Sequence, residues 1–268
     1  MSPVILDGAT GTLLRARGVT FAGTSVAANE SAPDDVAAVA RDYVRAGAEV
    51  ITANTFGDVA DAVRAFGLAR AGVVAAGAPT TRVAASVGPF PASARELEVL
   101  RVVAPDLVLV ETQVALRDAL VLVAGAREAM PHVPIWAGVV VSADGRLPDG
   151  TTALDAARAL ADAGALPGVS CTPVHVAVDV GRTVADALGA PLWIKANAGL
   201  PRNGRWPETP ESFARALDGS GAFLHAVGGC CGTTPATITA LVATLRRRSP
   251  HAPGDPDGTD RQDRAGTS

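Results

Sequence analysis

AFLHAVGGCCGTTP, residues 222–235, begins as an apolar strand, breaks at paired glycines and runs on through two adjacent cysteines. It is the last of eight runs of similar character. The others are VILDG from Val4, EVITANTF from Glu49, TRVAASVGP from Thr81, LVLVET from Leu107, PIWAGVVVS from Pro134, GVSCTP from Gly168 and PLWIKANAG from Pro191. A helix candidate follows each run. The clearest starts at Ala32, where Pro33, Asp34 and Asp35 open a stripe of Val36, Val39, Tyr43 and Val44. Continuously apolar strands imply a sheet covered on both faces. With the run at 222–235 the count reaches eight β/α units in about 245 residues, which predicts a closed (β/α)8 barrel over an open doubly wound sheet. The connections after Pro89 and around Gly72 to Pro79 read as short, so the barrel is expected to be compact.

The same reading brings the cysteines together. Cys230 and Cys231 follow the end of the eighth run, and Cys171 lies near the end of the sixth, 59 residues before Cys230. Barrel functional sites form at the C-terminal ends of the strands. Adjacent cysteines cannot both point inward from a regular strand, because side chains alternate. Gly228, Gly229 and Gly232 would supply the freedom for both to reach one point. A bare cysteine pair also fits two buried small hydrophobes or a vicinal disulfide. Three thiolates with one open position match a catalytic zinc site, whereas a structural site fills all four positions.

Composition bounds the function. The 268 residues carry a net charge of −4, with no basic stripe, so nucleic-acid binding has no support. No run of about 20 apolar residues predicts a membrane span. The start, MSPVILDG, lacks the features of a signal peptide, so the expected compartment is the cytoplasm. Three cysteines in a reducing compartment argue for metal or catalytic use over a disulfide framework. The expected organisation is a barrel over residues 1–248 and a disordered polar tail over 249–268.

At the predicted catalytic face, Asp7 ends the first run and Glu111 ends the fourth. Asn54 and Thr55, after the second, and Asn197, after the seventh, are candidate pocket-lining groups. His175, four residues after Cys171, would close the open metal position, so a polar loop role is expected. His225 reads as a barrel histidine, and Trp136 and Trp193 read as core.

GGCCGTTP resembles the zinc-binding signature of the homocysteine S-methyltransferases. LDGATGTLL from Leu6, ITANTF from Ile51, SVGP from Ser86, LVET from Leu109, GVSCTP and NAGLP from Asn197 resemble that family's other landmarks in the same order. Before its first cysteine the family usually carries asparagine, where this chain has Ser170. The resemblance implies a zinc-dependent thiol methyltransferase with Cys171, Cys230 and Cys231 as ligands. It further implies that Asp7 and Glu111 bind homocysteine, and the turn starting at Gly8 could meet the substrate carboxylate. The expected partners are homocysteine and a small methyl donor. The chain has no room for folate and cobalamin modules, so S-methylmethionine or S-adenosylmethionine is expected to be that donor. Methylation of another thiol or selenol, or a zinc-binding homologue without catalysis, are the alternatives.

Overall fold

A computed structural model describes residues 2–89 and 94–246. Residues 249–268, read above as a tail, lie outside them. Each of the eight runs forms a strand: β1 Val4–Ile5, β2 Val50–Thr52, β3 Arg82–Val87, β4 Leu107–Gln113, β5 Ile135–Val139, β6 Leu166–Pro173, β7 Leu192–Asn197 and β8 Leu224–Gly229. They pair in parallel in the order β1-β8-β7-β6-β5-β4-β3-β2. The two end strands meet through a bridge between Leu6 and Val50, with Asp7 N–H donating to Val50 O at 3.1 Å and Glu49 N–H to Ile5 O at 2.8 Å. That bridge makes the sheet a nearly closed barrel.

Two apolar layers follow from the period-two alternation of the strands. One set of positions, including Leu6, Val50, Leu109, Trp136 and Trp193, fills the barrel interior. The other set, including Ile51, Val108 and Ile194, packs outward against the helices. Trp193 is fully buried in this layer, and burying about 200 Å2 of indole contributes on the order of 5 kcal/mol before entropy. Its neighbours must give way. A Cβ on Gly168 would lie 2.4 Å from the indole Nε1, and one on Gly138 would lie 2.7 Å from its Cζ2. The indole N–H donates to Leu166 O at 3.1 Å.

The helix Pro33–Arg45 starts with proline in its first turn and buries Val36, Val39, Ala40 and Tyr43, as the stripe predicts. The short connection expected around Gly72 to Pro79 starts later, between the helix Ala62–Ala75 and β3. Gly72 is buried inside the helix Ala62–Ala75, where a Cβ would lie 2.4 Å from Ala37 O. The glycine reports close helix–helix packing, not a turn. Two short helices, Ala94–Leu97 and Val99–Val103, link β3 to β4, in keeping with the short segment expected there. No helix among the described residues is long and apolar enough to cross a membrane.

Candidate active site

The barrel interior changes chemistry near the C-terminal strand ends. Two residues beyond Val50, Ala84, Leu109, Gly168 and Trp193 on the same inward face come Thr52, Ser86, Glu111, Ser170 and Lys195. An apolar layer is thus capped by a polar one, and the polar groups satisfy each other. Lys195 is 4% exposed, and its Nζ lies 3.0 Å from Thr52 Oγ1, 3.2 Å from Asp7 Oδ1 and 3.5 Å from Glu111 Oε2. Asp7, 1% exposed, also accepts from Thr52 N–H at 2.7 Å and Thr52 Oγ1 at 2.8 Å. Glu111, 5% exposed, accepts from Ser86 Oγ at 2.7 Å. Burial alone would strip the charge from Lys195, but the Asp7 and Glu111 carboxylates, with Cys230, hold its pKa above the ordinary lysine range.

The cysteines reach their positions through two backbone irregularities. The β6–β7 register shifts between Ser170 and Pro173, and Cys171 takes φ 49°, in the left-handed region that non-glycine residues seldom occupy. Flanking contacts hold it there. Asn197 Nδ2 donates to Cys171 O at 3.0 Å, and Thr112 N–H donates to Ser170 Oγ at 2.8 Å. Gly138 leaves the space for Ser170, since a Cβ there would lie 2.8 Å from the hydroxyl oxygen. At the end of β8, Cys230 N–H donates to Ala196 O and Ala198 N–H to Cys231 O, so both cysteines are tied to the end of β7. Of the three glycines expected to give freedom here, Gly232 alone takes a positive φ, 81°. Gly228 and Gly229 serve close approach instead: a Cβ would lie 2.6 Å from Asp7 O in one case and 2.2 Å from Thr233 Oγ1 in the other.

The three sulfurs lie within 4.8 Å of one another, with Cys171 and Cys231 Sγ 3.9 Å apart. A tetrahedral zinc with Zn–S bonds of about 2.3 Å needs sulfurs about 3.8 Å apart, so the donor set and its spacing fit that ion. All three cysteines are free and partly exposed. Hydrogen bonds from Cys171 and Cys230, aided by Lys195, pull Cys231 down to about 3, whereas the contacts of Cys230 with Cys171 and Cys231, together with burial, push its thiol up. The trio therefore offers a thiolate beside thiols, and a metal taking all three sulfurs must release protons. His175 is not part of the cluster. It lies in the helix Val174–Leu188, not a loop, with its Nε2 3.3 Å from Glu208 Oε1. His225 sits toward the other end of β8, edge-on to Trp136 at 5.1 Å between ring centroids.

A cavity of about 410 Å3 opens above this layer. Gly8, Asn54, Glu111 and all three cysteines line it, together with Thr52, Lys195 and, farther out, Arg15, Phe21 and Phe56. Asp7 and Asn197 are not among the lining residues. Asp7 sits behind Thr52 and Lys195, and Asn197 spends its amide on Cys171 O and Gly199 N–H. Asn54 is saturated by Ser25 and Asn29, so it fixes the segment 25–29 against the rim. Thr55 is buried and joins β2 to Ser86 of β3. A Cβ on Gly8 would lie 2.6 Å from Tyr43 Oη, whose hydroxyl donates to Ala9 O at 2.9 Å.

Sequence reasoning passed over Lys195 and gave Ser170 no positive role. The signal for Lys195 was present: it is the one lysine in a chain with 23 lysines and arginines, and it interrupts an apolar strand. A lysine in that place has to be paired.

A family model described as homocysteine S-methyltransferase matches residues 4–245. The chain is 31% identical to a methionine synthase of Mycobacterium tuberculosis, across 90% of this chain and 25% of that protein. It thus spans about a quarter of that relative's length. It is 25% identical to homocysteine S-methyltransferase 4 of Zea mays, across 90% of this chain and 89% of that one. Among solved structures, the apo form of the homocysteine methyltransferase MmuM from Escherichia coli superposes with a TM-score of 0.71 and 26% identity, covering 91% of this chain and 96% of that one.

Proposed function

The chain belongs to the homocysteine S-methyltransferase family, and on that premise we propose that it transfers a methyl group from a small sulfonium donor, S-methylmethionine or S-adenosylmethionine, to the sulfur of homocysteine, giving methionine. The observation that carries the reading is the convergence of Cys171, Cys230 and Cys231 on one wall of a cavity that also presents Glu111. These cysteines would hold zinc, which when bound keeps an acceptor thiol ionised at neutral pH.

The chain's own residues do the rest. The left-handed Cys171 and the tied ends of β7 and β8 fix the sulfurs before any ligand arrives. Glu111, anchored by Ser86, takes the acceptor's ammonium and so sets where its sulfur lies. Phe56, which lines the cavity, offers an aromatic ring to the positive charge of a sulfonium, whereas the Phe21 ring already carries the Arg15 guanidinium 4.2 Å from its centroid. The acceptor sulfur attacks the methyl carbon, the old carbon–sulfur bond breaks, and its electron pair neutralises the leaving thioether. The acceptor thiol's proton goes to solvent.

The test is methyl transfer by purified, zinc-loaded protein, with homocysteine and each sulfonium in turn, alongside elemental analysis. About one zinc per chain is expected, and Cys231→Ala should lose most of it. Undiminished zinc in that variant counts against the ligand assignment, and no methionine with either donor counts against the reaction.

A further inference from the structure

Lys195 has two sides. Behind it, Thr52 Oγ1 at 3.0 Å and Asp7 Oδ1 at 3.2 Å take two of the three ammonium N–H groups. In front, the third has Glu111 Oε2 at 3.5 Å, which is long for a hydrogen bond. Glu111 keeps its firmer contact with Ser86 at 2.7 Å. Both Lys195 and Glu111 line the cavity, whereas Asp7 does not. The floor of the cavity therefore shows an incoming molecule one cation and one anion side by side, not a pair of acids. Asp7 acts on Lys195, and Lys195 faces the ligand.

We infer that Lys195 is the recognition group for the carboxylate of the acceptor, with Glu111 taking the ammonium. This rests on the thiol amino acid acceptor proposed above. An α-amino acid carries its two charges on one carbon, and Lys195 and Glu111 present the complementary pair within one contact distance. Binding exchanges the long Lys195–Glu111 contact for two charge-assisted hydrogen bonds, one to each end of the zwitterion. Thr52 and Asp7 keep the ammonium in place throughout. The rest of the chain carries arginine wherever it carries a strong base, and a guanidinium at 195 would need room that the packed layer between Asp7, Thr52 and Glu111 does not give.

A single lysine makes the inference directly measurable. Wild-type protein grown with carbon-13 lysine gives one Cε signal set for the folded chain. That signal should shift on adding homocysteine or 4-mercaptobutyrate, which keeps the carboxylate and lacks the ammonium. It should shift little with 3-mercaptopropylamine, which keeps the ammonium and lacks the carboxylate. In parallel, Lys195→Met should raise the KM for homocysteine at least tenfold and leave 3-mercaptopropylamine within about twofold. The wild-type spectrum decides the matter even if the variant folds poorly. An equal response of Lys195 to both deletion analogues overturns the inference. Methionine formation with an unresponsive Lys195 also overturns it while leaving the proposed reaction standing. A responsive Lys195 without methyl transfer supports the carboxylate site and removes the reaction.

Discussion

Glu111 is a buried carboxylate with a hydroxyl on one oxygen and an ammonium near the other. A surface acid at a strand end would tolerate removal, but this one would not. Glu111→Gln keeps the shape and the Ser86 contact and deletes the charge. We expect zinc content to be unchanged and kcat/KM for homocysteine to fall about 30-fold or more, since losing a buried charge partner costs about 2–5 kcal/mol and each 1.4 kcal/mol is tenfold. 4-Mercaptobutyrate, which has no ammonium, should be methylated at nearly equal rates by both proteins. Wild-type kinetics with homocysteine would remove Glu111 from the substrate's contacts, and lost zinc would make it a support of the metal site. At this scale the cysteines were legible, because strand ends of a barrel share one face and the chain has only three. Asp7 and Asn197 were placed at the correct end, but their partners were not legible. Which side of Thr52 a carboxylate lies on, or whether an amide turns to Cys171 O, depends on contacts between strands far apart in sequence.

Among the elements, β5, β6 and β7 form a unit in which one indole dictates two glycines. Gly168→Ala would place a methyl 2.4 Å from Trp193 Nε1. The indole cannot retreat without giving up its bond to Leu166 O and the interior layer. Overpacking of this kind costs about 1–3 kcal/mol, or roughly 2–9 °C in melting temperature for a chain of this size. Combining it with Trp193→Phe should recover part of the loss relative to the two single changes added together, because the two sites share the same space. Simple additivity in thermal melts would show that the two positions do not collide. The strands themselves were legible from their apolar runs, and the helix Pro33–Arg45 from its opening proline, acids and stripe. Gly72 was misleading because a glycine at a helix contact and a glycine in a turn look alike in sequence. Only the facing backbone of Ala37 tells them apart. The bulge at Cys171 was hidden for a similar reason, since nothing in GVSCTP marks a left-handed cysteine.

For the molecule as a whole, the count of eight β/α units was enough to predict the barrel, since few architectures accommodate that many parallel units in so short a chain. The way the interior is neutralised was not evident from the count, and it leaves a mark on stability. Lys195 and Tyr43 both have pKa values raised on folding: Lys195 by its two acids, against burial, and Tyr43 by burial first and Asp7 second. A raised folded value gives stability that is complete below the unfolded value, near 10 for both groups, and is lost as pH rises through the folded value. These two groups should therefore leave stability flat from about pH 6 to 9 and steepen its fall above about pH 10. Denaturant titrations of Lys195→Met with Tyr43→Phe should show a shallower alkaline limb, and an unchanged limb would exclude both. The ring of strands also has one thin stitch. Between β1 and β2 it closes through the Leu6–Val50 bridge, and Ile5 N–H finds the Glu49 side chain at 2.8 Å in place of a ladder carbonyl. Asp7 and Thr52 stand on the two lips of that opening and are clasped to each other and to Lys195. The proposed binding site thus doubles as the barrel's clasp: a molecule seated on Lys195 and Glu111 would also bear on the group that joins the first and second strands, and its occupancy would be felt in how readily the whole cylinder unzips.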